Sequence, residues 1–495
     1  MKKALLPILA AFMVLALFAP AAAAGDYSDN PQFMSFNSPE KLSLARSPDG
    51  GTTVYNAEAA PEATRTAVRS LSPEDWPQFM HDAANTGYSP CDNIPADSTV
   101  VNSTSSLGID VIGSINPVVF KNATGHKKVL VMTGYAGFEE PDGLTKVNLT
   151  CIDWYNGQMS VDWVQDLPRT NKTTGYYSNS WSSAATDGTY AYASSDNKTI
   201  CVRVSDGQLM WTFTTYYDNC NGGPTVTDNY VFCSDWGGNY YCLYKNNGTM
   251  KWVFNNADTF DYDMTYSQAT PAFDPTEGDE GKIYVTGWGY DSVTQHTGFL
   301  YKVDVATGTE DWSYGIGNSE SFCGSVSVDD DCIFVASYSF GSNGKLYKIS
   351  KDGSTVTSQS IERTDATPSI DKARDRVYIS GGWNGGIYGS ATPGVRCYST
   401  SNLNLLWSRI NQNMGGWTCS VAIGKSDEEG DKLVFAGREA GNNNYPSYCY
   451  NTTYALYDAY YGGTSWNYPA GGATAAIAWD EVYTVDHEGD LYIFS

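Results

Sequence analysis

Histidine is nearly absent from this chain of 495 residues: His81, His126, His296 and His487 are scattered, with no pair at a metal-ligand spacing. Eleven cysteines are present, but none are adjacent and none form a CxxC pair. A zinc site or a histidine-based catalytic centre is therefore not expected. Charge is sparse and one-sided, at 17% of residues and a formal net charge of -25. That balance excludes nucleic acid as a partner and argues against anionic membrane surfaces. Beyond the first residues no apolar run approaches the ~20 residues needed to cross a bilayer, so the mature chain is expected to have no transmembrane segment. Long amphipathic helical patterns are missing as well.

The N-terminus carries the one strongly apolar stretch. Lys2 and Lys3 precede the run Leu5 to Phe18, and Pro20 with Ala21 to Ala24 offers a small-residue cleavage site. This reads as a secretory signal peptide over residues 1–24, which places the mature chain outside the cell, secreted or at the cell surface. No cysteine stands at the cleavage site to take a lipid. Residues 25–75 are rich in Ser, Pro, Ala and Gly and read as a flexible segment. In an exported chain disulfides are permitted, and the odd cysteine count leaves at least one thiol without an intramolecular partner.

The chain is rich in glycine, tyrosine and tryptophan, with 48, 36 and 14 residues, and from Trp76 onward a pattern recurs. Its copies include Thr199 to Gly207 and Trp211, Tyr241 to Gly248 and Trp252, Leu300 to Gly308 and Trp312, and Tyr454 to Trp466. Cys151 to Trp163 and Arg396 to Trp407 are looser copies, and Lys345 to Gly353 is a copy without its Trp. Each is a strand, a turn and a second strand that carries a Trp. Trp163, Trp211, Trp252 and Trp312 follow one another at 48, 41 and 60 residues. Such a period, with two further strands upstream of each copy, indicates a propeller. Units begin near Asn116, Ser182, Gly222, Gln268, Gly324, Ala366, Thr418 and Gly471, with small residues on each first strand. The expected fold is all-β, an eight-bladed β-propeller of four-stranded antiparallel blades over residues 76–495. The last unit has only three strands, so an N-terminal strand, read as Leu107 to Gly113, is expected to complete it and remove the open edges.

The segment Trp76-Pro-Gln-Phe-Met-His-Asp-Ala-Ala-Asn-Thr-Gly87-Tyr-Ser resembles the opening of the pyrroloquinoline-quinone-like (quinoprotein alcohol dehydrogenase-like) propeller family. The stretch Asp304 to Trp312 is similar to that family's tryptophan-docking motif. The resemblance implies the fold, and it admits quinone-dependent alcohol dehydrogenases, an outer-membrane assembly scaffold and surface proteins alike. The dehydrogenases use adjacent cysteines over the quinone and an acidic calcium site. This chain lacks the cysteine pair, so neither quinone nor calcium is expected as a cofactor.

Candidate functional residues follow from position. Trp181, Tyr266, Phe322 and Trp417, with Asp365, precede first strands and would converge on one mouth of the channel. They are read as a platform for a sugar, peptide or ring-shaped ligand, against packing between blades as the alternative. Cys151, Cys201, Cys242 and Cys397 share a third-strand slot suited to a small buried side chain, and Cys233 with Cys242 is a candidate cross-strand disulfide. Sequons at Asn102, Asn122, Asn148, Asn171, Asn197, Asn247 and Asn451 permit glycosylation. The acidic runs Asp329 to Asp331, Glu277 to Glu280 and Asp427 to Asp431 lack the spacing of a calcium loop and read as solvated turns, so no metal site is expected. The expected function is a scaffold that binds an extracellular protein, glycan or envelope component. The alternative is a quinone-dependent or carbohydrate-active enzyme working at the channel mouth.

Overall fold

Small first strands and Gly-to-Trp hairpins assemble, in a computed structural model, into eight radial blades. The structure describes residues 52–54, 70–95, 97, 100–103, 116–134, 147–167, 182–219, 222–255, 264–267, 269–274, 276, 280–291, 295–316, 320–339, 344–382, 393–410, 414, 419–426, 432–440, 449–486 and 489–495. Blades are numbered in chain order. Their innermost strands are Val118–Lys121, Ala185–Thr186, Thr225–Val226, Ala272–Asp274, Ser327–Val328, Ser369–Asp371, Ala422–Lys425 and Ala476–Ala478. Each blade runs outward as an antiparallel sheet. In blade 2 the second and third strands are continuous over Tyr190–Arg203. Thr52–Val54, within the segment read as flexible, adds a strand outside Leu209–Asn219 of that blade.

The ring closes as the three-stranded last unit requires, with a different donor. Val100–Ser103 pairs antiparallel with Leu491–Phe494, from Val100 opposite Phe494 to Ser103 opposite Tyr492. The expected donor, residues 107–113, lies outside the described residues. The earlier donor has a local cause. The preceding chain is already fixed to blades 7 and 8, through Ile94 N–H donating to Lys425 O and Asn93 N–H donating to Asp480 Oδ1. The chain therefore reaches the blade edge within a few residues.

Between blades, the Gly-to-Trp signature is a contact. Each Trp faces the shared third-strand slot across its own hairpin: Cys151 opposite Trp163, Cys201 opposite Trp211, Cys242 opposite Trp252, Cys397 opposite Trp407 and Ala455 opposite Trp466. The indole then crosses to the turn of the next blade. Trp163, Trp211, Trp252 and Trp312 donate their Nε1–H to the backbone carbonyls of Val204, Lys245, Val305 and Lys351 at 2.7, 3.2, 2.8 and 2.9 Å. The ring lies on the turn glycine: a Cβ on Gly308 would stand 2.5 Å from Trp252 Cγ. Blade 5 has no such Trp, and the turn it faces in blade 6 has no glycine. Leu403 occupies the left-handed position there at φ 58° and is buried among Ile379 and Tyr398. Indole and glycine are lost together, and an aliphatic side chain fills the gap.

Around the channel, first strands of successive blades are tied by hydroxyls. The N–H groups of Asn116, Gly223, Thr270, Thr367 and Ser420 donate to Ser183 Oγ, Thr270 Oγ1, Ser325 Oγ, Ser420 Oγ and Thr474 Oγ1 of the next blade, at 2.8 to 3.1 Å. Backbones approach closely here; a Cβ on Gly324 would lie 2.3 Å from Asp365 O. Crowding and hydroxyl pairing together explain the Ser, Thr, Ala and Gly of these strands.

The expected Cys233–Cys242 disulfide is not formed, and both side chains are buried thiols. The register is offset by one residue, with Cys233 opposite Tyr241 and Cys242 opposite Phe232. A one-residue offset sends the two side chains to opposite faces of the blade. Cys233 packs with Cys201 and Trp211, and Cys242 with Phe254 and Tyr301.

The docking contact separates two glycines of similar backbone. Gly157 has φ 76°, and a Cβ added there would meet nothing within 4 Å, because no Trp reaches it; Gly308 has φ 74° beneath Trp252. Gly157→Ala is expected to cost about 1 kcal/mol from the left-handed conformation alone. Gly308→Ala is expected to cost about 1–3 kcal/mol more from overpacking. Equal losses in denaturant unfolding would contradict the docking account.

Candidate functional site at the two ends of the channel

The opening segment Trp76 to Pro95 forms a hub across one end of the ring. The amides of Val119, Thr186, Phe273, Val328, Ile370 and Ile423, one from each of six first strands, donate to the carbonyls of Trp76, Pro77, Ala83, Ala84, Thr86 and Gly87 at 2.6 to 2.9 Å. A seventh, Val226 N–H, donates to Gln78 Oε1 at 2.9 Å. Blade 8 is reached by side chains: Trp479 Nε1–H donates to Asp75 Oδ1 at 2.8 Å. Asn116 fastens the hub from inside, accepting from Trp76 Nε1–H at 2.6 Å and donating to the carbonyls of Thr474 and Ala475. Asn85 donates to Val326 O at 3.0 Å. The segment coils tightly enough to place Met80, His81 and Asn85 at positive φ. At Gly87, φ 67°, a Cβ would meet Met80 Cε at 2.5 Å and Ser369 Oγ at 2.8 Å.

The hub-end residues Asp274, Asp329 and Asp371 end or follow first strands, so the loops that precede those strands open at the other end. Of the residues expected to ring that other mouth, Trp181 and Trp417 lie outside the described residues, and Tyr266 is described only as part of the strand Met264–Tyr266. Phe322 is buried and packs edge-on to Tyr347, with ring centroids 5.4 Å apart. Asp365 is half-buried, and its carbonyl faces Gly324 of blade 5. Sequence reasoning passed over Trp236 and Trp288, which are buried at this end in an edge-to-face pair with centroids 6.4 Å apart. The described aromatic side chains at this end thus fill space between blades.

Beside Trp236, Asp235 is fully buried at a hairpin turn. Its carboxylate accepts from Tyr241 Oη at 2.6 Å, Gly237 N at 2.9 Å, Asn239 Nδ2 at 3.0 Å and Tyr217 N at 3.1 Å. Burial outweighs these bonds and pushes its pKa up to about 6. The cluster joins two hairpins and serves the fold.

A cavity of about 460 Å³ lies at the hub end, where Asp82, Ala84 and Tyr88 of the hub face Asp274 of blade 4, Asp329 of blade 5 and Asp371 of blade 6. Lys351 Nζ stands 2.5 Å from Asp274 Oδ2, and Lys372 pairs with Asp329, Asp330 and Asp331 at 3.0 to 3.2 Å. Of the run Asp329 to Asp331, read as a solvated turn, Asp329 and Asp330 line the cavity and Asp331 is exposed. The cavity's assembly from four distant segments left no local signal in the sequence.

Two sequons stand on turns. Asn247 is exposed and Asn122 half-exposed, and each Oδ1 accepts from the Thr two residues on. Asn148 is 6% exposed within the strand Val147–Tyr155, so folding withdraws its amide from modification. Asn197 is half-buried in a strand; Asn171 and the side chains of Asn102 and Asn451 lie outside the described residues.

Comparison with known proteins agrees with this geometry. The family model described as outer membrane protein assembly factor BamB matches residues 160–339. A europium-containing methanol dehydrogenase superposes with TM-score 0.63 at 11% identity, covering 86% of this chain and 98% of that one. The quinohemoprotein alcohol dehydrogenase of Comamonas testosteroni gives 0.59 at 14%, covering 85% and 80%, and BamB of Moraxella catarrhalis 0.52 at 12%, covering 80% and 99%. The likeness is one of fold, the pyrroloquinoline-quinone-like β-propeller. No curated protein matches it by sequence.

This likeness in fold raises the question of whether this propeller's residues suit a quinone and its metal. The described residues do not fit that group. The cysteines at the far mouth, Cys323 and Cys419, are buried in blades 5 and 7 with blade 6 between them. Cys419 Sγ lies against Gly472 O at 3.4 Å, and burial raises the Cys323 pKa. Among the described residues no three His, Cys, Asp or Glu side chains converge as metal ligands. No reaction step is derived through such a group.

The buried carboxyl at the far mouth gives a pH signature for this propeller. Unfolded, Asp235 titrates near 3.8; folded, near 6. Between those values the folded state holds a proton that the unfolded state has released, so its contribution to stability falls as pH rises and levels off above the window. Relative to wild type, Asp235→Asn is expected to gain about 1–3 kcal/mol between pH 4 and 6.5 in denaturant unfolding. A difference that is flat or of opposite slope would contradict the assignment.

Proposed function

We propose that this propeller is an exported scaffold without catalytic activity that docks a protein partner through the rim of blades 6 and 7. The observation that carries the reading is an apolar patch on that rim. Leu405, Leu406 and Ile410 are exposed on the outermost strand of blade 6, Leu405–Ile410, and Tyr460 and Tyr461 on the adjoining turn of blade 7, Tyr461 at 76%. The turn of blade 7 abuts this strand: a Cβ on Gly462 would lie 2.7 Å from Trp407 and 3.2 Å from Arg409 Cβ. Tyr460 is held edge-on to Tyr457 at 5.4 Å. Clustered aromatic and aliphatic side chains beside an outermost strand suit an extended protein segment that adds to the sheet.

The match of residues 160–339 to a family described as an outer membrane protein assembly factor supports a protein partner in an envelope setting. Among the described residues no helix is long and apolar enough to cross a membrane. A glycan remains a secondary ligand class for the far mouth, where Trp181, Tyr266 and Trp417 would form the platform. The likeness in fold to two dehydrogenases is what favours the catalytic alternative.

Photo-crosslinkers placed at Leu406 and Tyr461, with Asn247 on blade 3 as control, test the docking reading in the native host. The expected result is one protein adduct common to the first two positions and absent at the third. Leu406→Asp combined with Tyr461→Asp is expected to weaken that partner's binding by about tenfold to a hundredfold. Adducts equally strong at Asn247, or dye-linked alcohol oxidation after loading with quinone and metal, would overturn it.

A further inference from the structure

We propose that the hub-end cavity binds an alkylammonium group, with the Asp371 carboxylate as its anionic partner. Asp371 ends the first strand of blade 6, lines the cavity and is 2% exposed. Its Oδ2 has no hydrogen-bond donor. A buried carboxylate oxygen in that state is costly, and burial raises the pKa of the group accordingly. The two cations whose charge reaches it are bonded elsewhere. Arg374 pairs with Asp458 at 3.1 Å, and Lys432 Nζ donates to Tyr88 Oη at 2.5 Å.

The other carboxylates of the cavity already have hydrogen-bond or ion-pair partners, and this points to the class of ligand. Asp274 is held by Lys351, and the three aspartates of blade 5 share Lys372. Asp82 accepts from Ala84 N at 3.0 Å, Thr86 N at 3.1 Å and the Thr86 hydroxyl. One free carboxylate oxygen does not make the multi-oxygen shell that calcium or magnesium requires. It does match one N–H of an ammonium, which forms a short charge-assisted bond to a carboxylate oxygen. Ala83, Ala84, Val328 and Ile370 give the wall an apolar part for a hydrocarbon stem, beside Thr86, Thr276 and Lys372. About 460 Å³ is ample for an amine on a chain of a few carbons. Such a group comes from a free amine or from a lysine side chain presented by a partner.

Calorimetric titration of the intact mature chain with n-pentylamine, Nα-acetyl-lysine methylamide, 1-pentanol and calcium chloride tests the proposal. Saturable one-to-one binding of an amine, with pentanol at least about tenfold weaker, is expected from a charge-assisted bond. Tighter binding of the lysine derivative assigns the group to a lysine side chain, and tighter binding of pentylamine to a free amine. Asp371→Asn is expected to weaken amine binding by about tenfold or more. Ala373→Trp, at an exposed position on the cavity rim, is expected to block binding while leaving Asp371 untouched, which covers the case in which Asp371→Asn does not fold. Equal binding of pentanol and pentylamine, amine affinity unchanged in Asp371→Asn or in Ala373→Trp, calcium binding without amine binding, or no saturable amine binding would each overturn the proposal.

Discussion

Seven first strands give one amide each to a single short segment, and the rest of the architecture follows from that. A closed ring of sheets removes the outer openings between blades but leaves the inner face of every first strand turned toward the channel. A polar backbone group there needs a partner. Trp76 to Gly87 supplies one to each blade in turn, five of them carbonyls between Trp76 and Thr86 and one the Gln78 amide oxygen, and Gly87 reaches blade 7. The same chain continues through Pro95 O, which accepts from Trp466 Nε1–H, to the strand that completes blade 8. Hub and clasp are one piece of polypeptide.

This explains which features could be read in the amino-acid order. The Gly-to-Trp spacing was legible because blades 1 to 4 and 6 repeat one contact: an indole from blade n on the turn glycine of blade n+1. Even its exception is consistent, since the turn facing the Trp-less blade 5 carries Leu403 in place of glycine. The hub was not legible as a hub. It acts mostly through carbonyls, which every residue has, so its partners leave no periodic side-chain trace. Only its resemblance to a family opening marked it. The Cys233–Cys242 pairing failed for a related reason, since a hairpin register one residue different reverses which face each side chain takes.

The candidate sites divide along the same line. Positional recurrence pointed to aromatic residues before the first strands, and the described members at that end, Phe322, Trp236 and Trp288, are packed within the ring. The hub-end cavity recurs nowhere in the sequence. It exists because the hub crosses blades 4 to 6 and brings Asp82, Asp274, Asp329 and Asp371 together from segments far apart in the chain. The perturbed thiols and phenols of the blades, such as Cys151 and Cys233, each pushed up to about 12, report burial and not chemistry. Among the described residues, the rim and the hub-end cavity are the surfaces that carry a proposal, both held by a ring whose blades interlock.

Native-state hydrogen exchange resolved to single amides tests the hub most directly. The amides of Thr186, Val226, Phe273, Val328, Ile370 and Ile423 should share one opening free energy with Ser89, whose N–H donates to Ile423 O. In Gly87→Val all of them should lose protection together. If Ser89 exchanges freely while the six inner-strand amides stay protected, or if Gly87→Val loosens blades 6 and 7 alone, the hub does not hold the ring.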